Sequence, residues 1–204
     1  MTTPYGSIVI PTHDRDTTLA LAVRSAPSQS VRDVEVIIAG DGCTPAVRAV
    51  ALELAREDRR VRFLDLPKAP LRGGANRDVA VRSAAASRIF YNDDDDLLLP
   101  HHVELLGEAL NDADVVDTPV VSVCTEGRVA IGLHDSGHPV QRRLLVEERF
   151  KGVFDTHLAH WKRTYTDRAG AWLEAPDHRA VLHMLKSFAA SSEVRWTTLD
   201  CRIE

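Results

Sequence analysis

Four short runs of β-branched and aromatic residues, each followed by a different kind of segment, restrict this chain to one kind of fold. Residues 7–10 (SIVI) form an apolar run of strand length, stopped by Pro11. Residues 34–39, 61–64 and 88–91 repeat that character. Between them lie stretches of helical period. Thr17 or Thr18 can cap a helix carrying Leu19, Leu21, Ala22, Val23 and Ala26, closed by Pro27. Thr44-Pro45 starts a second helix, with the hydroxyl at the N-cap and proline at the first helical position, running to about Arg56. Gly73-Gly74 opens a third over 79–86. Strands alternating with helices predict an α/β fold, a parallel sheet flanked by helices on both faces. Ligands of such sheets lie at the carboxyl ends of the strands. Loops 11–15, 40–44 and 92–96 therefore line one crevice.

Beyond residue 110 the pattern loosens. Residues 101–110 read as a helix on Val103, Leu105, Leu106 and Leu110, and 115–123 and 128–133 read as strands around Glu126-Gly127. His134 and His138 fall in a Gly- and His-containing loop. Residues 156–165 suggest a helix and 181–188 a short element. The expected organisation is a nucleotide-binding half, 1–110, and an acceptor-side half, 111–204, of the same domain. Length agrees, since 204 residues suit a single globular unit.

The turn at 91–100, YNDDDDLLLP, raises the question of chemistry. Four consecutive carboxylates repel one another, and a solvated acidic turn is the plain reading. Their position after a strand, at the ligand-binding end of the sheet, favours a bound cation instead. Hard oxygen ligands suit Mn2+ or Mg2+, which commonly bridge carboxylates to substrate phosphates. An EF-hand is excluded, because its glycine and distal glutamate are missing.

Composition removes other classes. The formal charge is −5 with no basic run, which argues against a nucleic-acid partner. Cys43, Cys124 and Cys201 form neither a disulfide framework nor a zinc pattern, and a reducing, cytoplasmic setting is expected. No basic leader is apparent, and no apolar stretch approaches the ~20 residues that span a bilayer.

SIVIPTHDR, EVIIAGDGCTP and GGANRDVAVRSAAASRIFYNDDDDLLLP together resemble the nucleotide-binding half of a family 2 glycosyltransferase of GT-A fold, over about residues 6–110. The family's pattern is a strand ending in P-T-x-[ND]-R, a D-D-G-S-T turn, an A-R-N segment and a D-x-D-D turn with proline four residues on. The resemblance implies that Pro11 and His13 contact the nucleoside base and that Asp41 accepts a hydrogen bond from it. Gly40 replaces the first aspartate of that turn, and Cys43 the serine. Arg77 matches the arginine near the diphosphate, while Asp78 stands where asparagine is usual. Asp93 and Asp95 match the D-x-D pair, with Asp95 the first choice for direct metal contact; Asp94 is the variable middle residue beside the nucleotide, and Asp96 supports the turn.

The same resemblance implies an inverting, metal-dependent transfer from a nucleoside-diphosphate sugar, UDP favoured and GDP or TDP open, to a hydroxyl acceptor. In many relatives the base is an aspartate before a short amphipathic helix. Within FDTHLAHW, residues 154–161, that place falls to His157 or Asp155, with His160 and Trp161 expected to pack a helix on the sheet. His183 is a further metal candidate, and a homodimer could complete the site. Two alternatives compete: a non-catalytic sugar-nucleotide-binding domain, suggested by Gly40 and His157, and a sugar nucleotidyltransferase, disfavoured because the first loop has no glycines.

Overall fold

The computed structural model describes residues 3–149, 157–167, 172 and 179–199. The first half is the expected alternation: β1 (Gly6–Thr12), α1 (Asp16–Ser25), β2 (Val34–Asp41), α2 (Pro45–Glu57), β3 (Val61–Leu66), α3 (Pro70–Ser83), β4 (Arg88–Tyr91) and α4 (His102–Ala109). The second half adds β5 (Val115–Asp117), β6 (Val120–Val123), β7 (Val129–Gly132), α5 (Pro139–Val146), β8 (Leu158–Trp161), α6 (Lys162–Thr166), α7 (Ala180–Ala189) and β9 (Trp196–Thr198). Seven strands make one sheet in the order β3-β2-β1-β4-β8-β5-β9. Only β8 opposes the rest of that sheet, pairing antiparallel with both β4 and β5. Both halves of the chain thus contribute to a single mostly parallel sheet.

Burial on both faces explains why the strands read as continuous apolar runs. Ile8, Ile10, Val36 and Ile38 pack with Leu19, Val23, Val47, Leu54 and Leu106 from α1, α2 and α4. Val9, Ile37 and Tyr91 pack on the other face with Ala80, Val81, Leu145, Met184 and Phe188 from α3, α5 and α7. Thr44 caps α2 as expected, its hydroxyl accepting from the Val47 amide at 3.3 Å.

Several expectations need correction. Pro11 does not stop the first strand, which runs to Thr12; β4 pairs only with Ser7, Ile8 and Val9, so the proline falls beyond that ladder. Helix α1 begins at Asp16, ahead of either threonine. Helix α3 begins at Pro70 rather than at Gly73-Gly74, because proline is pre-organised for the first helical turn. The stretch 115–123 is two strands, β5 in the main sheet and β6 in a separate hairpin with β7. The largest departure lies in the helix expected over 156–165. Residues 158–161 form a central strand, β8, and 162–165 are helical, in α6; His160 lies inside the sheet, fully buried, with its Nε2 2.9 Å from the Tyr91 hydroxyl.

Candidate active site

At the carboxyl ends of β1, β2 and β4 lies a crevice of about 480 Å³. Its lining is Pro11, Thr12, His13, Asp14, Arg15, Asp41, Lys68, Arg77, Asp93, Asp94 and Asp95. Every nucleotide-site residue expected from the sequence is among them, so the fold brings together the three loops that the strand pattern placed on one edge.

Asp41, the last residue of β2, is held by the chain itself. One carboxylate oxygen accepts from the Ala69 amide at 2.7 Å and the Asn76 side chain at 2.8 Å; the other pairs with Lys68 at 2.7 Å. Asn76 also donates to the Pro67 carbonyl, tying the middle of α3 to the segment that follows β3. Gly73 has φ +76, and a Cβ there would come within 2.9 Å of the Asp41 carboxyl carbon. The glycine lets α3 approach Asp41 this closely. Gly40 has a similar explanation: a Cβ would meet Phe63 at 2.8 Å and the Cys43 sulfur at 2.9 Å. The carboxylate missing at position 40 has no room here, and Cys43 fills the adjacent space.

The acidic turn follows β4 directly. Asn92 closes it by donating to the Asp96 carbonyl at 3.2 Å, and the Asp96 amide donates to the Asp93 carbonyl at 3.2 Å. Asp94 is buried, 9% exposed, and burial lifts its carboxyl above the ordinary range against the opposing pull of Thr12 and Arg15. Asp95 is more open and pairs with the Arg15 guanidinium at 2.7 Å; Arg15 also lies 3.5 Å from Asp94. Arg77 sits with its guanidinium 5.3 Å from the centre of the Trp172 ring. Asp78, beside it, faces away into structure: it accepts from Tyr165 at 2.6 Å and from Arg82 at 2.9 Å. Five carboxylates and three cations line the crevice, a formal excess of two negative charges. One divalent cation would neutralise that excess, and hard oxygen donors are the right chemistry for Mn2+ or Mg2+.

A second polar cluster lies on the same sheet edge, beyond β4. Asp117 ends β5, His157 immediately precedes β8, and Thr198 ends β9. His134 Nε2 is 3.1 Å from one Asp117 oxygen, and the Thr198 hydroxyl donates to the other at 2.6 Å. The rings of His134 and His157 are 5.3 Å apart. Burial would lower the His134 pKa, but the hydrogen bond and charge of Asp117 outweigh it and raise the value. His157 is 4% exposed, and burial takes its pKa down to about 3. So weak a base, set against His134 and outside the crevice lining, is badly placed to accept a proton there. Asp155 lies outside the described residues. His183 is on α7, also outside the crevice lining, and no group of three or more metal-binding side chains forms among the described residues.

Four contributors were given no role by the sequence reading. Lys68 and Asn76 fix Asp41, Thr12 borders Asp94, and Arg15 pairs with the acidic turn. Thr12 and Arg15 carried a legible signal, as letters of the first strand-loop motif.

A crevice at the carboxyl ends of a mostly parallel sheet is where such folds bind their ligands. The chain belongs to glycosyl transferase family 2, whose family model, "Glycosyl transferase family 2", matches residues 7–170. It is 25% identical over 109 residues to the GalNAc(5)-diNAcBac-PP-undecaprenol beta-1,3-glucosyltransferase of Campylobacter jejuni, covering 53% of this chain and 35% of that protein. It is 36% identical over 110 residues to the chondroitin synthase of Pasteurella multocida, covering 53% of this chain and 11% of that one. The chain thus spans about a third or less of the length of these relatives. The fold matches S. aureus TarS 1-349 in complex with UDP-GlcNAc, with a TM-score of 0.72 at 14% identity, over 97% of this chain and 56% of that one. It also matches the mannosyltransferase PcManGT from Pyrobaculum calidifontis in complex with GDP-Man and Mn2+, with a TM-score of 0.65 at 15% identity, over 98% and 56%. The fold is GT-A. No helix among the described residues is long and apolar enough to cross a membrane.

Proposed function

We propose that this chain carries the donor-binding and catalytic unit of a metal-dependent inverting glycosyltransferase, moving a sugar from a nucleoside-diphosphate sugar to a hydroxyl acceptor. The observation that carries the reading is the excess of two negative charges in a crevice lined by Asp41, Arg77, Asp93, Asp94 and Asp95. A divalent ion held there supplies Lewis-acid stabilisation of the departing diphosphate. Asp95 and Asp93 are the residues that would hold it. Pro11, His13 and Asp41 line the end of the crevice assigned to the nucleoside base, and Asp41, already fixed by Lys68, Ala69 and Asn76, presents its carboxylate without further ordering. Arg77, steadied against Trp172, is the cation assigned to the diphosphate. A UDP-sugar is the proposed donor, in line with the UDP-GlcNAc bound by TarS, and PcManGT with GDP-Man keeps GDP-sugars as the comparison to test.

The acceptor hydroxyl needs a base within about 3 Å whose pKa leaves it unprotonated. In the family resemblance the base is an aspartate ahead of an amphipathic helix, and 158–161 is a strand. Helix α7, with Ala180, Met184, Leu185 and Phe188 on its buried side, meets the criterion, and Asp177 lies three residues before it. We assign the base to Asp177, with Asp155 as the rival; both lie outside the described residues. Release of sugar or free nucleoside diphosphate from a panel of UDP- and GDP-sugars, with and without Mn2+, tests the reading. Mn2+-dependent release supports it. Metal-dependent nucleotide binding with no turnover of any donor would favour the non-catalytic binding domain.

A further inference from the structure

Each cation of the crevice is engaged with a neighbour: Lys68 with Asp41 at 2.7 Å, Arg77 over Trp172 at 5.3 Å, and Arg15 with Asp95 at 2.7 Å. Arg15 differs from the other two in what it holds. Its partners are Asp95, one of the two residues proposed to hold the divalent ion, and the neighbouring Asp94. Its side chain is 55% exposed, on the residue just before α1, and makes no capping bond to that helix. The guanidinium can therefore leave without disturbing the fold.

We propose that Arg15 is the exchangeable counter-cation of the aspartate turn, a positioning residue that couples metal binding to donor binding. The inference rests on the metal-dependent reading given above. A carboxylate oxygen that accepts from a guanidinium has less electron density to give a small hard dication, and the two cations repel at such spacing. Binding of the ion at Asp95 displaces Arg15. The freed guanidinium still borders the crevice, where the negative charge remaining to be matched is that of the donor's diphosphate. Its planar fork suits phosphate oxygens. Metal alone must compete with Arg15, whereas metal together with a diphosphate gives Arg15 a replacement partner. The consequence is positive coupling: each ligand binds better in the presence of the other.

The test measures Mn2+ affinity without nucleotide, by electron paramagnetic resonance of free Mn2+, and UDP affinity at saturating Mn2+ by calorimetry. Wild type, Arg15→Gln and Arg15→Lys are compared. Arg15→Gln is expected to bind Mn2+ alone about two- to fivefold more tightly, the range set by an exposed ion pair, and to bind UDP more weakly than wild type. Arg15→Lys is expected to keep the competition with Mn2+, since it keeps the charge. Unchanged or weaker Mn2+ binding in Arg15→Gln, with wild type binding Mn2+ and UDP together, overturns the role of Arg15. Absence of Mn2+-dependent UDP binding in wild type instead overturns the metal-dependent reading itself, so the two failures are distinct.

Discussion

Two groups of charged side chains share one edge of the sheet and are treated in opposite ways. In the crevice above β1, β2 and β4, two of the three cations are open: the side chains of Arg15 and Lys68 are more than half exposed, and their pairs can exchange with a ligand. Above β5, β8 and β9, Asp117 and His134 have side chains 0% and 1% exposed, and the cluster is closed by Thr198 and His157. Exposed ion pairs contribute little to stability and so are cheap to break, whereas separating a buried pair strands an unpaired charge. The first region is therefore open to exchange with a ligand, and the second holds β5, β8 and β9 in register.

The sharpest way to break this division is to change the candidate proton acceptors, Asp177 and Asp155 outside the described residues and His157 in the closed cluster. Asp177→Asn should lower the transfer rate by about 10²- to 10⁴-fold with UDP affinity unchanged, the usual contribution of a general base. His157→Gln should leave the rate near that of wild type. If Asp155→Asn shows the large loss and Asp177→Asn does not, the base lies ahead of β8 instead; if His157→Gln shows it, the buried cluster is catalytic and the division fails.

On the binding side, Asp41→Ala should weaken UDP binding by about 1 to 3 kcal/mol, from the unpaired donors it leaves behind as much as from the lost contact. Titration calorimetry of folded variant against wild type measures this. An unaltered affinity would remove Asp41 from the nucleotide site.

The closed region should declare itself in stability against pH. His157 and His160 have pKa values lowered to about 3 and about 4 by burial, beneath the value of about 6.5 they take when unfolded. As pH falls below about 6.5 the unfolded chain gains protons that the folded chain refuses. The stability held above that pH is then lost at up to about 1.4 kcal/mol per pH unit for each histidine. His134 acts in the other direction: its raised pKa gives stability that is full below about pH 6.5 and is lost as pH rises through its folded value. Urea unfolding between pH 5 and 7 should show net uptake of protons on unfolding at the acid end. A flat profile would mean that these rings are solvated.

The same contrast governs what could be read from the chain. The crevice was legible because its residues follow strands whose apolar runs are plain, and because the turn chemistry at 41, 77 and 93–95 is local. Strand β8 was not legible: LAHW is buried on both sides between β4 and β5, so it shows no alternation, and the buried His160 reads as a polar position in a helical pattern. The misread strand also removes the helix that the base candidates His157 and Asp155 were expected to precede directly. Lys68 and Asn76 were missed for another reason, since they reach Asp41 only through tertiary packing of α3 and the segment before it against the end of β2. Gly40 is the reverse case, a departure from the family pattern that packing against Phe63 and Cys43 accounts for.

The central claim is that the turn after β4 holds a divalent ion that binds a donor's diphosphate. It is tested most directly by UDP titration of wild type and Asp95→Ala in Mn2+ and in EDTA. The account predicts that Mn2+ strengthens UDP binding to wild type and has no effect on a folded Asp95→Ala variant. An equal Mn2+ effect in both proteins, or none in wild type, would contradict it.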